Sequence, residues 1–229
     1  RAKADTTISG TPAALTLDNV LALSLEATRD WFSARTLIAR GSTSAANPEF
    51  DAFVDGAGQF GAVVPGALDL ASGLRVEKDT GTFFEVAVGV DKYDWFVGAE
   101  YTQTEVDGSV IADNKAWYVT AGLRFGKFTP HITYEVEEAD NGAQLGLVAG
   151  LPPTIATGDA VTDATWSGIY QAASGIAAQQ NLDVSAVTAG LRYDVEPGLA
   201  LKADVTWYSD DLNDLNDATL LKVGVNYTF

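Results

Sequence analysis

Lys222-Val223-Gly224-Val225-Asn226-Tyr227-Thr228-Phe229 ends the sequence, and along it apolar and polar side chains alternate without a break. Successive side chains of an extended strand point to opposite faces, so this stretch reads as a strand with one apolar and one polar face. Over 218–229, Leu221, Val223, Val225, Tyr227 and Phe229 share the apolar face, and Lys222, Gly224, Asn226 and Thr228 the polar one. The split recurs upstream. In 198–209, Leu199, Leu201, Ala203, Val205 and Trp207 oppose Lys202, Asp204, Thr206 and Tyr208; in 184–194, Val187, Ala189, Leu191 and Tyr193 oppose Thr188, Gly190, Arg192 and Asp194. Segments 115–125 and 128–137 repeat it, with Trp117, Val119, Ala121, Leu123 and Phe125, then Phe128, Pro130, Ile132, Tyr134 and Val136, on the apolar side. With 82–91, 94–105, 31–40 and 18–28, nine strands are predicted.

Most run about 10 to 12 residues, roughly twice the usual strand of a soluble sheet and close to the ~9–11 tilted residues that cross a bilayer. No apolar run is long enough for a membrane-spanning helix, yet 47% of the residues are hydrophobic and 10% aromatic. A net charge of −17 would repel the phosphates of nucleic acid. The absence of cysteine excludes disulfides and thiolate metal sites.

The aromatic residues sharpen the reading. Tyr93, Trp95, Phe125, Phe128, Tyr193 and Phe229 fall at the tight-turn ends of the predicted strands, and Tyr101, Trp117, Tyr134 and Trp207 nearer the other ends, on the apolar face. Amphipathic rings prefer the headgroup layer, so two belts are the pattern of a lipid-facing barrel. Connections alternate in the same sense. Tight ones fall at Thr28-Arg29-Asp30, Asp91-Lys92-Tyr93-Asp94, Phe125-Gly126-Lys127 and Val195-Glu196-Pro197-Gly198, and long ones at 41–81, 106–114, 138–182 and 210–217. Outer-membrane barrels have short periplasmic turns and long extracellular loops, which puts the C-terminus on the periplasmic side. Apolar stretches in Phe60 to Leu74 and Val161 to Ala178 predict short helices in the two longest loops, one of which either narrows the lumen or caps the rim.

Lys222-x-Gly224-x-x-Tyr227-x-Phe229 resembles the C-terminal assembly signal of Gram-negative outer-membrane proteins, and Tyr93-Asp94-Trp95-Phe96-Val97-Gly98-Ala99-Glu100-Tyr101 and Val187-Thr188-Ala189-Gly190-Leu191-Arg192-Tyr193 are similar to strands of proteobacterial general porins. The resemblance covers the strands from about residue 17 onward. It implies an all-β, antiparallel up-and-down transmembrane barrel of about sixteen strands, a homotrimer in the bacterial outer membrane, and contact with lipid, lipopolysaccharide and the barrel-assembly machinery. Nine strands are an odd number, and a sheet left open would expose backbone edges to hydrocarbon at a cost on the order of tens of kcal/mol. The expectation is therefore that 1–229 is one barrel domain forming the C-terminal part of a larger barrel. The competing account is that 1–16, 41–81 or 138–182 holds a tenth or further strand that closes a smaller one.

Polar-face parity collects Glu26, Arg35, Glu85, Glu100, Arg124, His131, Glu135, Glu137, Arg192, Lys202, Asp204 and Lys222. A filled barrel interior would need apolar residues there, so the predicted interior is wet and these residues are its candidate lining. Arg124, Arg192, Lys202 and Lys222 gather toward the C-terminus and Glu85, Glu100 and Glu135 on the middle strands, which predicts opposed basic and acidic walls. Asp210, Asp211, Asp214 and Asp217 crowd one long-loop turn; without the glycine and glutamate positions of a calcium-binding loop they read first as a solvated acidic rim and only weakly as a metal site. No metal or organic cofactor is expected. The single histidine, His131, leaves a hydrolase with a serine or aspartate partner as a minor reading. Two classes remain: a porin for passive diffusion, cation-favouring at its mouth, and a non-conducting recognition barrel such as an adhesin or autotransporter translocator.

Overall fold

Alternating side chains become strands only when each strand finds neighbours in register, and here the tight turns dictate them. A computed structural model describes residues 2–8, 11–140 and 142–228, with all of their side chains except those at 2, 4–8, 11–13 and 142–145. Phe229, assigned to the assembly signal, lies outside the described residues. The strands are β1 (Ala2–Ile8), β2 (Thr11–Arg29), β3 (Phe32–Ala46), β4 (Asp79–Lys92), β5 (Trp95–Val106), β6 (Asp113–Leu123), β7 (Phe128–Asp140), β8 (Leu182–Glu196), β9 (Leu199–Asp210) and β10 (Ala218–Tyr227). They form a single antiparallel sheet in chain order from β1 to β10. Among the described residues no pairing joins β10 to β1 or β2, so the sheet is an open section of an up-and-down barrel.

The four tight turns share one device. Asp30 (φ 51°), Tyr93 (φ 51°), Gly126 (φ 60°) and Gly198 (φ 83°) each take the left-handed conformation that matches a two-residue hairpin to the twist of its strands. Gly198 is also sterically required, because a Cβ there would lie 2.6 Å from the carbonyl oxygen of Thr228. The Thr228 N–H donates to the Gly198 carbonyl at 2.7 Å, tying the end of the chain to the β8–β9 turn.

All nine predicted strands are present, and residues 2–8 and 11–17 add to them: β1 pairs with an extension of β2, from Ala2 opposite Leu17 to Ile8 opposite Thr11. A bulge between Asp18 and Leu21, with Asn19 at φ 54°, sets two β2 residues, Asn19 and Val20, against one of β3, Gly41. It flips the parity, so that Leu15 and Leu17 stand on the face of Thr43 while Leu21, Leu23 and Leu25 stand on the opposite one.

Cross-strand register gives the sheet one continuous apolar face. Val223, Ala203, Leu191 and Pro130 stand side by side, as do Ala189, Ile132, Ala121, Val97 and Val90. This face is bare: Leu23 is 62% exposed, Ile132 55% and Val223 76%. Apolar exposure on this scale is foreign to a water-soluble surface and is the condition of a sheet solvated by lipid. Two aromatic belts bound it. Trp95, Phe128 and Tyr193 mark the tight-turn side and Tyr101, Tyr134 and Trp207 the other; Trp95 and Tyr101, like Phe128 and Tyr134, stand six residues apart and so about 20 Å along the strand. Within the belts Phe128 lies 4.9 Å from Tyr193, and Trp117 meets Tyr134 edge-on at 5.4 Å.

The two longest connections hold the predicted helices, and they belong to one unit. From the β3–β4 connection come α1 (Pro48–Gly58) and α2 (Ala67–Leu74); from the β7–β8 connection come α3 (Gly142–Ala149) and α4 (Ala160–Gln179). Val54, Val64, Leu70, Leu74, Val148, Leu151, Trp166 and Ala173 bury one another in a common core, joined by Val76 and Val110 at the long-loop end of the sheet. Trp166 is fully enclosed and satisfies its indole N–H on the Pro152 carbonyl at 2.7 Å. Asn47 caps α1 by accepting from the backbone of Glu49 and Phe50, with Pro48 at the first helical position; Asp159 caps α4.

Candidate functional site

Apart from Arg124, which lies beyond the paired residues of β6, the charged residues that parity assigns to the polar face share one face by register. Hydrogen-bonded pairing carries these side chains across the sheet in rows. Beside the tight turns come Thr129, Arg192 and Lys202. Above them run Phe96, Gly122, His131, Gly190, Asp204 and Lys222. The third row is hydroxylic: Thr120, Thr133, Thr188 and Thr206, hydrogen-bonded in pairs at 2.8 Å. The fourth holds Glu26, Arg35, Glu100, Tyr118, Glu135 and Tyr208, and the fifth Glu85, Thr102, Glu137 and Asp210.

This ordering alters the expected charge pattern. Lys202, Lys222 and Arg192 occupy the two rows nearest the tight turns, whereas Glu85, Glu100, Glu135 and Glu137 occupy the two farthest, so acid and base are separated along the strands as well as across them. The basic set is also thinner than parity suggests. Arg124, just beyond β6, grips Asp91 with two nitrogens at 2.6 and 2.8 Å, a bidentate arrangement that holds it at the turn end. Arg192 is bound by Asp194 on its own strand at 2.9 Å. Lys202 and Lys222 make no ion pair among the described residues.

On the acidic side, Arg35 donates through Nε to Glu85 at 2.6 Å and stands 3.8 Å from Glu100. Glu85 has a side chain only 10% exposed, so this guanidinium compensates a carboxylate that would be costly to bury alone. Tyr118 donates to Glu100 at 3.3 Å and the Asn114 amide to Glu137 at 2.7 Å. Glu100, Tyr118, Glu135, Glu137 and Tyr208 border a recess of about 230 Å³ floored by Val184 and Ala186. Asp91, Asn114, Tyr118 and Tyr208 are not among the lining residues that the sequence nominates. Parity alone places Tyr118 and Tyr208 on this face, but the partners of the arginines depend on register.

The acidic turn is held together by its own hydrogen bonds. Asp210 is buried and its carboxylate accepts from the backbone N–H groups of Leu212 and Asn213 and from the Asn216 amide, while Asp217 accepts from the Asp210 N–H. These contacts shape the turn, and among the described residues no three histidine or acidic side chains converge to hold an ion. His131 stands next to Asp204 across Gly190, with Nε2 3.5 Å from Oδ1.

The sheet and its two unlike faces define a section of a transmembrane antiparallel β-barrel with helices in its long connections. No family model matches the chain, and no curated protein is significantly similar to it. Among solved structures it is similar to a loop-deletion mutant of OmpT, an outer membrane protein of Vibrio cholerae, at 12% identity and a TM-score of 0.49 over 94% of this chain and 54% of that one. It is also similar to a porin, at 14% identity and 0.47 over 94% and 51%, and to the outer membrane protein OprD of Pseudomonas aeruginosa, at 9% and 0.47 over 94% and 51%. The chain thus spans about half the length of the structures it resembles, and its fold is assigned from its own register and exposure.

Proposed function

We propose that this chain is part of an outer-membrane porin, a water-filled channel for passive diffusion of ions and small hydrophilic solutes rather than an enzyme. One observation carries the reading: the sheet turns a bare apolar face, edged by aromatic belts, one way and rows of charged and hydroxylic side chains the other. A barrel closed around those rows has an interior too polar to be filled and is wet. The open edges, at β1 and the length of β2 beyond Leu17 on one side and at β10 on the other, are completed by further strands of the larger barrel, about sixteen in all by resemblance. The tight turns and the C-terminus then face the periplasm, Lys222, Gly224 and Tyr227 serve assembly, and the apolar face meets lipid, lipopolysaccharide and the other subunits of a homotrimer.

Solute passage is governed by Arg35, Glu85, Glu100, Arg124, His131, Glu135, Arg192, Lys202, Asp204 and Lys222. With Arg124 and Arg192 neutralised by aspartates, Lys202 and Lys222 are the main brake on cations, and the acidic long-loop end favours cations at the mouth. Replacing both lysines by glutamate raises the cation-to-anion permeability ratio of the full-length protein in planar bilayers. An unchanged ratio removes these lysines from the account.

The helical unit built from both long connections favours a second reading, a non-conducting recognition barrel whose cap binds a partner. Single-channel recording separates the two. Stable ohmic openings support the porin, and a silent bilayer with correctly folded protein supports the recognition barrel.

A further inference from the structure

We infer that His131 and Asp204 form a binding site for a divalent transition-metal ion of the zinc, nickel or copper class on the polar face of the sheet. This goes beyond the channel proposal and does not depend on conductance.

Three observations converge on the pair. First, His131 on β7 and Asp204 on β9 are separated by a whole strand, yet Nε2 and Oδ1 come within 3.5 Å. Metal–nitrogen and metal–oxygen bonds of ~2.0–2.1 Å at the tetrahedral angle place neighbouring ligand atoms about 3.3 Å apart, so the two atoms already span one edge of such a site. Second, the approach exists because the intervening residue is Gly190: a Cβ there would lie 2.2 Å from Asp204 Oδ1 and 2.3 Å from His131 Nε2. Third, Oδ1 is enclosed and has no hydrogen-bond partner among the described residues, a condition native structures relieve with water or an ion.

The donor set decides the class of ion. Imidazole nitrogen with carboxylate oxygen suits zinc, nickel and copper, whereas calcium and magnesium require all-oxygen shells. The side chains are 28% and 27% exposed, which leaves the remaining coordination positions to water or a solute. Lys222 stands opposite Asp204 and opposes cation binding, but Oδ1 leans over Gly190, away from the strand that carries the lysine.

Copper(II) titration of the full-length protein in detergent micelles, carrying no added histidines and followed by electron paramagnetic resonance, tests the site. Expected is a bound signal with nitrogen coupling that His131→Ala abolishes. Asp204→Asn weakens binding at least tenfold while keeping the nitrogen coupling, and Lys222→Gln tightens it. Gly190→Ala removes binding although both ligands remain. Thermal unfolding without metal confirms that each variant is folded. Absence of nitrogen coupling in the wild-type protein, or equal affinity in folded His131→Ala or Asp204→Asn, overturns the proposal. Binding as predicted in a protein that conducts no current supports the site and counts only against the channel.

Discussion

The sheet and the helical cap use the same residue types under opposite solvent rules. In the cap, Val54 is 1% exposed and Trp166 fully buried; on the sheet, Val119 is 42% exposed and Trp207 50%. The cap turns its apolar side chains on one another, as any domain in water does. The sheet turns them outward and keeps its charges on the other side. One chain that does both must meet water at its long-loop end and hydrocarbon around its strands, so the boundary between the two environments runs through the chain where strands give way to helices.

The sharpest way to break that comparison is to empty the cap. Trp166→Ala leaves a cavity among Val54, Leu70, Leu74 and Val148 and should cost about 3–5 kcal/mol, the range for a large buried aromatic side chain. Because the cap is held mainly by its own core, the loss should appear as protease cleavage within 47–78 and 141–181 while the strands stay resistant. If strands and cap are lost together, the two regions are one cooperative unit and the contrast between them fails.

A smaller effect tests the sheet. Val119 and Thr120 are adjacent on β6 and face opposite ways. Val119→Arg should cost about 2–4 kcal/mol in refolding from denaturant into lipid vesicles, the range for arginine near the bilayer midplane, and Thr120→Arg about 1 kcal/mol or less. Equal costs for the two variants would mean that the apolar face does not meet lipid.

Legibility in the sequence followed the range of the interactions. Period-two alternation is local, so all nine long strands and their four tight turns could be read directly. The extension of β2 could not, because Leu15, Leu17, Leu21, Leu23 and Leu25 keep one numerical parity while the bulge at Asp18–Leu21 moves the first two to the other face. The faces of the charged residues were legible for the same local reason, but their partners were not. Arg124 meets Asp91 from 33 positions away and Arg35 meets Glu85 from 50, contacts fixed by register. The His131–Asp204 approach needs both register and the missing side chain at Gly190. The cap was half legible: each connection showed helical content, but only packing reveals that the two share a core.

The finest test lies in the cap's two helix starts, which differ in chemistry. Asp159 caps α4 with a carboxylate that accepts from the Thr162 hydroxyl and the backbone N–H of Val161, contacts that hold its pKa below the ordinary aspartate value of about 3.9. Asn47 caps α1 with an uncharged amide. A lowered folded-state pKa means that the Asp159 contribution is complete above the ordinary aspartate range and is lost as pH falls through the lower folded-state value. Amide protection in the first turn of α4, corrected for the intrinsic pH dependence of exchange, should therefore fall on acidification more than protection in the first turn of α1. Asp159→Asn should remove the difference and Asn47→Asp should transfer it to α1. If the first turn of α4 responds to acid as strongly in Asp159→Asn as in the wild type, its sensitivity comes from elsewhere in the cap and the two helix starts are not distinguished by their capping groups.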